Sequence, residues 1–248
     1  MTATALRFTG GRLALPDGPA VGDLVLRDGR VASVAAASTS AADESVVGVE
    51  GLLVAPGFVD MQVNGGHGID LTSELGDHPE RLRALARHLP AQGVTAFVPT
   101  IVSAPREAVT AALRALRAAP GDHLGAVPLG VHAEGPMLAP AKRGTHDPGQ
   151  LRAPDPALIE GWSREAGVIM ATLAPELPGA LDLIAELVAR GTVVSIGHSD
   201  ATYEQARAGL DAGARAGTHL GNAMSGFSAR EPGVIGALLA DPTAVVGL

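Results

Sequence analysis

Two periodicities divide this chain. Over residues 1–55, apolar and polar positions alternate in short runs: Ala5-Leu6-Arg7-Phe8, Arg12-Leu13-Ala14-Leu15, Asp23-Leu24-Val25-Leu26-Arg27 and Arg30-Val31-Ala32-Ser33-Val34. A two-residue period sends successive side chains to opposite faces, so these runs predict short strands. Gly10-Gly11, Pro16-Asp17-Gly18 and Asp28-Gly29 between them are turn sequences, the last of the two-residue hairpin type. Ala35–Ser45 is small and polar and predicts a loop.

From Ala55 onward, short apolar runs alternate with stretches of helical period. The runs predict strands at Phe58–Val63, Thr95–Val102, Ala126–His132, Val168–Leu173, Val193–Ile196, Arg215–Thr218 and Ala244–Leu248. Between them Leu82/Leu85/Ala86/Leu89, Val109/Ala112/Leu113/Leu116 and Leu181/Ile184/Ala185/Val188 follow the i, i+3, i+4, i+7 spacing of an amphipathic helix. Strands alternating with helices imply a parallel sheet with helical crossovers, an α/β fold. Seven strands are predicted, where a closed (β/α)₈ barrel has eight. Asp241–Leu248 stops inside an apolar run, so the chain is expected to be cut through its seventh strand.

A barrel of parallel strands gathers the strand ends around one mouth, and here the ends carry chemistry. Val131-His132-Ala133-Glu134-Gly135-Pro136, Ile196-Gly197-His198-Ser199 and Gly217-Thr218-His219-Leu220 each place a carboxylate or imidazole where an apolar run finishes. Glu134, His198 and His219 make a two-nitrogen, one-oxygen set suited to a hydrolytic zinc-type site. A buried Glu–His ion pair is the bland alternative, and it is costly unless fully paired. His132 lies two positions before Glu134 on the same strand face, where it could orient a ligand through a hydrogen bond or simply pack. Lys142-Arg143-Gly144-Thr145-His146-Asp147-Pro148 reads as a solvated basic loop or as a flap whose His146 reaches a substrate oxygen. Arg230 precedes a predicted helix, where the helix dipole favours acids, so a bound anion would explain a cation there. His78, His88 and His123 sit on predicted helices or connections and read as structural or surface groups; His67, in the Gly-rich loop Asn64–Gly68 near the mouth, could serve that loop, with the structural reading favoured.

Composition narrows the classes. With 248 residues, 46% hydrophobic, the chain can bury a barrel-sized core with a small accessory piece. No run approaches the roughly 20 apolar residues of a membrane span, and Met1–Arg7 lacks a leader pattern, so no membrane partner and a cytoplasmic location are expected. A net charge of −8 argues against a nucleic-acid partner. Without cysteine, any metal must be held by His, Asp or Glu. Lys142 is the only lysine, so a lysine-based site could stand nowhere else.

Ala55-Pro56-Gly57-Phe58-Val59-Asp60, His132–Pro136, Lys142–Pro148, Leu173-Ala174-Pro175-Glu176, Gly197-His198-Ser199, Thr218-His219-Leu220-Gly221-Asn222-Ala223-Met224 and Arg230-Glu231-Pro232-Gly233 share an order and spacing with a known family. The chain resembles the N-acetylglucosamine-6-phosphate deacetylase family of the amidohydrolase superfamily. The resemblance implies a distorted (β/α)₈ barrel over residues 56–248, truncated before strand eight. Residues 1–55 would form the N-terminal part of a small β-sandwich whose remaining strands are C-terminal and absent here. It implies Glu134, His198 and His219 as metal ligands, and Thr145, His146, Asn222, Ala223 and Arg230 as substrate contacts, Arg230 on the 6-phosphate. It further implies a homo-oligomer, dimer or tetramer, in which a neighbour helps close the phosphate site.

Two departures follow. Where many amidohydrolases carry His-x-His, this chain reads Gln62-Val63-Asn64, so one divalent ion is expected, zinc first, with iron, manganese or cobalt as alternatives. Gln62 and Asn64 become candidates to orient a ligand. No lysine stands on the fourth strand to bridge two metals. The family's catalytic Asp, at the end of strand eight, and a substrate-binding His after strand seven fall beyond Leu248. The expected activity is hydrolysis of the acetamide of N-acetylglucosamine 6-phosphate to acetate and glucosamine 6-phosphate, in amino-sugar catabolism. The rivals are another amidohydrolase, a deacetylase of N-acetylgalactosamine 6-phosphate above all, and a catalytically silent fragment that only binds metal or sugar phosphate.

Overall fold

The computed structural model describes residues 5–35, 41, 43–118 and 125–248. They divide into two compact units, Met1–Gly57 and Phe58–Leu248.

The first unit is all β. Strands β1 (Ala5–Thr9), β2 (Arg12–Leu15), β3 (Gly18–Val21), β4 (Asp23–Arg27), β5 (Arg30–Ala35), β6 (Glu44–Gly48) and β7 (Leu53–Val54) form two sheets, ordered β5-β4-β1-β6 and β3-β2-β7. Alternation decides which side chains turn inward, and in β1 and β4 it buries Arg7 and Asp23 beside Ala5 and Val25. Arg7 Nη1 meets Asp23 Oδ2 at 2.9 Å and Arg7 Nε meets Glu44 Oε2 at 2.7 Å, so the inward charges are paired. Three of these strands carry no alternation signal. β3 contains Gly18 and Pro19 and is held by its backbone ladder to β2. β7 is two residues long. β6 begins inside the expected loop Ala35–Ser45: Glu44 and Ser45 pair in parallel with Ala5 and Leu6, a contact no local pattern reveals. Positions 36–40 and 42 of that loop lie outside the described residues.

The second unit is a curled half-barrel of parallel strands. β8 (Phe58–Val63) leads into a small hairpin, β9 (Gly65–Gly66) and β10 (Ile69–Asp70), then come β11 (Val94–Val102), β12 (Val127–Pro128), β13 (Val131–Glu134), β14 (Val168–Leu173), β15 (Val193–Ile196), β16 (Ala216–Gly217) and β17 (Val245–Val246). The order is β8-β11-β13-β14-β15-β16-β17, every neighbouring pair parallel. The predicted strand Ala126–His132 is two pieces, β12 and β13, both paired with β11, and its end moves out to Glu134. Counted as one, they give the seven strands expected. Among the described residues β8 pairs only with β11 in this sheet, and β17 only with β16.

Helices α1 (Leu71–Glu74), α2 (Glu80–His88), α3 (Arg106–Ala118), α4 (Ala180–Ala189), α5 (Tyr203–Asp211) and α6 (Gly233–Ala240) make the crossovers. α2 buries Leu82, Leu85 and Ala86 as its period requires. In α4 the predicted stripe is displaced: Ala180, Leu183, Ile184 and Leu187 are buried, while Leu181 and Val188 face outward at 39% and 37% exposure. That helix is apolar on more than one side, and packing chooses the stripe. α5 was not predicted because its buried side consists of small residues, Ala206 and Gly209, with Leu210; its start is a capping box between Thr202 and Gln205. The β13–β14 connection contains no α-helix, only 3₁₀ turns such as Pro140–Lys142 and Pro148–Gln150, which leaves the Lys142–Pro148 segment free to fold over the mouth. Phe97, Ile101, Leu173, Ile184 and Leu187 lie in the core between sheet and helices. No described helix is long and apolar enough to cross a membrane.

Candidate metal centre

Parallel pairing brings the carboxyl ends of β13, β15 and β16 together, and with them Glu134, His198 and His219. Glu134 Oε1 lies 3.1 Å from His198 Nε2 and 3.2 Å from His219 Nε2, and the two nitrogens are 3.1 Å apart. Glu134 and His198 are buried at 2% and 4% exposure, so water cannot be the main partner of either. His198 and His219 both have positive φ, +49° and +37°, an uncommon backbone conformation that turns each ring back over its strand end. Gly197 is required by crowding: a Cβ there would stand 2.8 Å from Thr172 Cγ2 and 2.8 Å from Thr218 Cβ.

The donor chemistry fits a cation. His198 Nδ1 lies 2.8 Å from the Lys142 carbonyl oxygen and His219 Nδ1 lies 3.1 Å from that of Asn222. A carbonyl can only accept, so each Nδ1 carries the ring proton and each Nε2 of a neutral ring presents a lone pair. Two lone pairs and a carboxylate oxygen then face one another. Ligand atoms at ~2.0–2.1 Å from a tetrahedral ion stand about 3.3 Å apart, close to the 3.1, 3.2 and 3.1 Å found here. These three residues could hold a metal ion.

The electrostatics agree. Burial pushes the Glu134 carboxyl up, but His198 and His219 outweigh it and hold the group well below the ordinary carboxylate range. Burial pushes His219 down, and the Glu134 carboxylate outweighs it, so His219 is raised. Both shifts mark a position that favours positive charge.

Gln62, on β8, donates from Nε2 to Glu134 Oε1 at 3.1 Å. Asn64 is exposed; its carbonyl accepts from Leu71 N at 3.1 Å. His132 does not hydrogen-bond to the three converging residues. Its Nδ1 meets Thr100 Oγ1 at 3.1 Å and its Nε2 meets Thr172 Oγ1 at 2.7 Å, and the chain continues through Thr218 Oγ1 (2.7 Å) to Ser195 Oγ (2.6 Å). Burial pushes its pKa down to about 4, so the ring is neutral. His132 therefore ties its own strand to β11 and β14, and the hydroxyl chain carries the link to β15 and to the residue that follows β16.

His146 folds in from the β13–β14 connection. It is 2% exposed, its Nε2 lies 3.9 Å from Glu134 Oε2, and its ring packs edge-on against His198 with centroids 4.4 Å apart. Burial, with His198 next, pushes its pKa down to about 4. Its Nδ1 contacts Ser103, at the end of β11, which sequence reasoning did not single out although it stands at a strand end as the converging residues do.

Lys142 serves the site with its carbonyl, while its ammonium pairs with Asp200 Oδ1 at 3.2 Å. Thr145 and Asn222 are exposed at the rim, and the Ala223 carbonyl accepts from Ser199 N at 3.2 Å. Arg230 is exposed and makes no hydrogen bond or ion pair among the described residues. The predicted helix opens at Gly233 rather than at Arg230, and Glu231 serves that end, its Oε1 accepting from Tyr203 N at 2.8 Å and Gly233 N at 3.0 Å. A cavity of about 690 Å³ lined by Asp60, Gln62, Asn64, His219 and Gly247 opens between β8 and β17. Of the remaining histidines, His67 stacks on His88 at the surface with centroids 4.1 Å apart, and His78 meets Glu80 at 3.4 Å. His123 lies outside the described residues.

Comparison with known proteins places relatives around this geometry. The family model described as Amidohydrolase family matches residues 53–245. An N-acetylglucosamine-6-phosphate deacetylase of Danio rerio is 40% identical over 199 residues, covering 79% of this chain and 49% of its own length. An N-acetylgalactosamine-6-phosphate deacetylase of Escherichia coli O157:H7 is 36% identical over 223 residues, 87% of this chain and 57% of its own. A crystal structure of a mutant N-acetyl-D-glucosamine-6-phosphate deacetylase from Mycobacterium smegmatis, in complex with N-acetyl-D-glucosamine-6-phosphate, superposes with a TM-score of 0.81 at 37% identity, over 99% of this chain and 63% of that one. The chain spans about half the length of the curated relatives it matches.

Proposed function

Because the chain belongs to the amidohydrolase family, we propose that the complete protein hydrolyses the acetamide of N-acetylglucosamine 6-phosphate, releasing acetate and glucosamine 6-phosphate. The observation that carries this reading is the convergence of Glu134 Oε1, His198 Nε2 and His219 Nε2 within 3.2 Å at one mouth of the half-barrel. The names of the relatives supply the substrate class.

In this reading Glu134, His198 and His219 hold one divalent ion, zinc by the makeup of the donor set, with iron, manganese or cobalt fitting the same atoms. A bound divalent ion supplies a water acidified towards neutrality and a Lewis acid for the amide oxygen. Gln62 steadies Glu134 through the bond to Oε1. The Lys142 and Asn222 carbonyls fix the tautomers of the two imidazoles. His146 donates to the amide oxygen as it gains negative charge. Thr145, Asn222, Ala223 and Arg230 line the sugar phosphate, Arg230 taking the 6-phosphate, so that binding remote from the amide orients it. The proton acceptor for the attacking water is the aspartate expected at the end of an eighth strand, which returns the proton to the leaving amine. The enzyme works as a cytoplasmic homo-oligomer.

The likeness to the Escherichia coli O157:H7 relative supports a second reading, N-acetylgalactosamine 6-phosphate as substrate. One assay separates them. Full-length protein, loaded with zinc, is given each sugar phosphate and acetate release is followed. Faster turnover of the glucosamine epimer supports the proposal, faster turnover of the galactosamine epimer replaces it with the second reading, and no release from either overturns both.

A further inference from the structure

Ser103 follows directly on the last residue of β11 and is 6% exposed. Both of its hydrogen-bonding donors meet the same atom: its backbone nitrogen lies 3.2 Å from His146 Nδ1 and its Oγ lies 2.8 Å from it. A backbone N–H can only donate, so Nδ1 must present its lone pair and the ring proton of a neutral His146 sits on Nε2. The opposite tautomer would set Nδ1–H against the Ser103 N–H and leave a buried backbone donor without an acceptor. The Ser103 hydroxyl has no other acceptor among the described residues, so its proton goes to Nδ1 as well. Space is kept for that hydroxyl: a Cβ on Gly135 would stand 2.3 Å from Ser103 Oγ, at a φ of +88° that disfavours any side chain.

We infer that Ser103 is a positioning residue that locks His146 in its Nε2–H tautomer, making it a permanent hydrogen-bond donor aimed into the metal centre. The consequence is a division of labour among three histidines. His198 and His219 have carbonyl partners on Nδ1 and present lone pairs at Nε2, whereas His146 has donors on Nδ1 and presents a proton. His146 Nε2 therefore neither ligates an ion nor accepts the proton of the attacking water. It serves the amide oxygen. The identity of that acceptor rests on the deacetylase reading; the tautomer does not.

The test uses full-length, zinc-loaded protein labelled with ¹⁵N-histidine, the His146 signals being assigned by their loss in His146→Gln. In the wild type Nε2 is expected to show a one-bond coupling to hydrogen and Nδ1 none. Ser103→Ala keeps the backbone donor, so Nδ1 should stay unprotonated, and it loses the hydroxyl, so the Nδ1 nitrogen signal should shift as one of its two donors goes. In the same variant kcat for N-acetylglucosamine 6-phosphate falls about tenfold, the scale of one hydrogen bond, with KM within about twofold. Ser103→Thr, which restores the hydroxyl, recovers the wild-type Nδ1 signal and a rate within about threefold. A wild-type ring protonated at Nδ1 overturns the proposal, as does Ser103→Ala with an unchanged Nδ1 signal and unchanged kcat. If the protein releases no acetate from this substrate, the deacetylase reading fails and the nitrogen signals alone decide the role of Ser103.

Discussion

Removing a single hydroxyl beneath the mouth tests whether His132 is structural. Thr172 is 0% exposed, and its Oγ1 lies 2.7 Å from His132 Nε2 and 2.7 Å from Thr218 Oγ1. Thr100 Oγ1 donates to the Val98 carbonyl at 3.3 Å, which leaves it to accept from His132 Nδ1. The protons then run one way, from Ser195 to Thr218, to Thr172, to His132, to Thr100. Thr172→Val keeps shape and volume but strands the His132 Nε2 lone pair and deprives the Thr218 proton of its acceptor. A buried polar group left unmet costs about 1–3 kcal/mol. Thr218 can turn towards Ser195 and recover part of its share, so the variant should lose about 2–4 kcal/mol. Thr218→Val in the same background removes the second stranded group, and the double variant should be more stable than additivity predicts by about 1 kcal/mol. The assay is urea unfolding followed by the fluorescence of Trp162, the single tryptophan of these residues and 5% exposed in the same unit. A loss below about 0.5 kcal/mol, the scale of an ordinary surface change, would refute the ordered chain.

Three further outcomes are expected. His198→Ala should lower divalent-metal affinity at least about 100-fold in the full-length protein, read by metal analysis after dialysis; a full metal complement would remove His198 from the ligand set. Gly135→Ala forces a Cβ within 2.3 Å of Ser103 Oγ and should cost about 2 kcal/mol or more by the same fluorescence assay, with acetate release falling too; wild-type values would show that the Ser103–His146 contact has slack. In the first unit the bonds from Arg7 and from the Ala41 backbone hold Glu44 below its ordinary range. A depressed carboxylate contributes stability above the unfolded pKa, and that contribution is lost as pH falls through the folded value. Protection factors over residues 5–57, taken relative to the intrinsic exchange rate at each pH, should therefore fall on acidification below about pH 4, and Glu44→Gln should flatten that dependence; an unchanged slope in the variant would contradict it.

The two periodicities marked most strands of the half-barrel, because a parallel strand buried on both faces reads as an apolar run whatever its partners. They also marked the strand ends, and since topology gathers those ends at one mouth, Glu134, His198 and His219 are legible as a set in the sequence itself. What periodicity could not reach was set by contacts distant in the chain. β6 exists because Glu44 and Ser45 ladder onto β1 and Arg7 pairs with Glu44. The stripe on α4 was chosen by packing, since its residues are apolar on more than one side. His132 and His146 carry the same imidazole as His198 and His219, and nothing local distinguishes the four. Only the tertiary structure assigns each its proton, by placing hydroxyls against His132, carbonyls against Nδ1 of His198 and His219, and the donors of Ser103 against Nδ1 of His146. Sequence determines which groups are available and on which strand they stand; the partner of each ring nitrogen, and so whether it presents a lone pair or a proton, is decided by the carbonyls, amides and hydroxyls that folding sets against it.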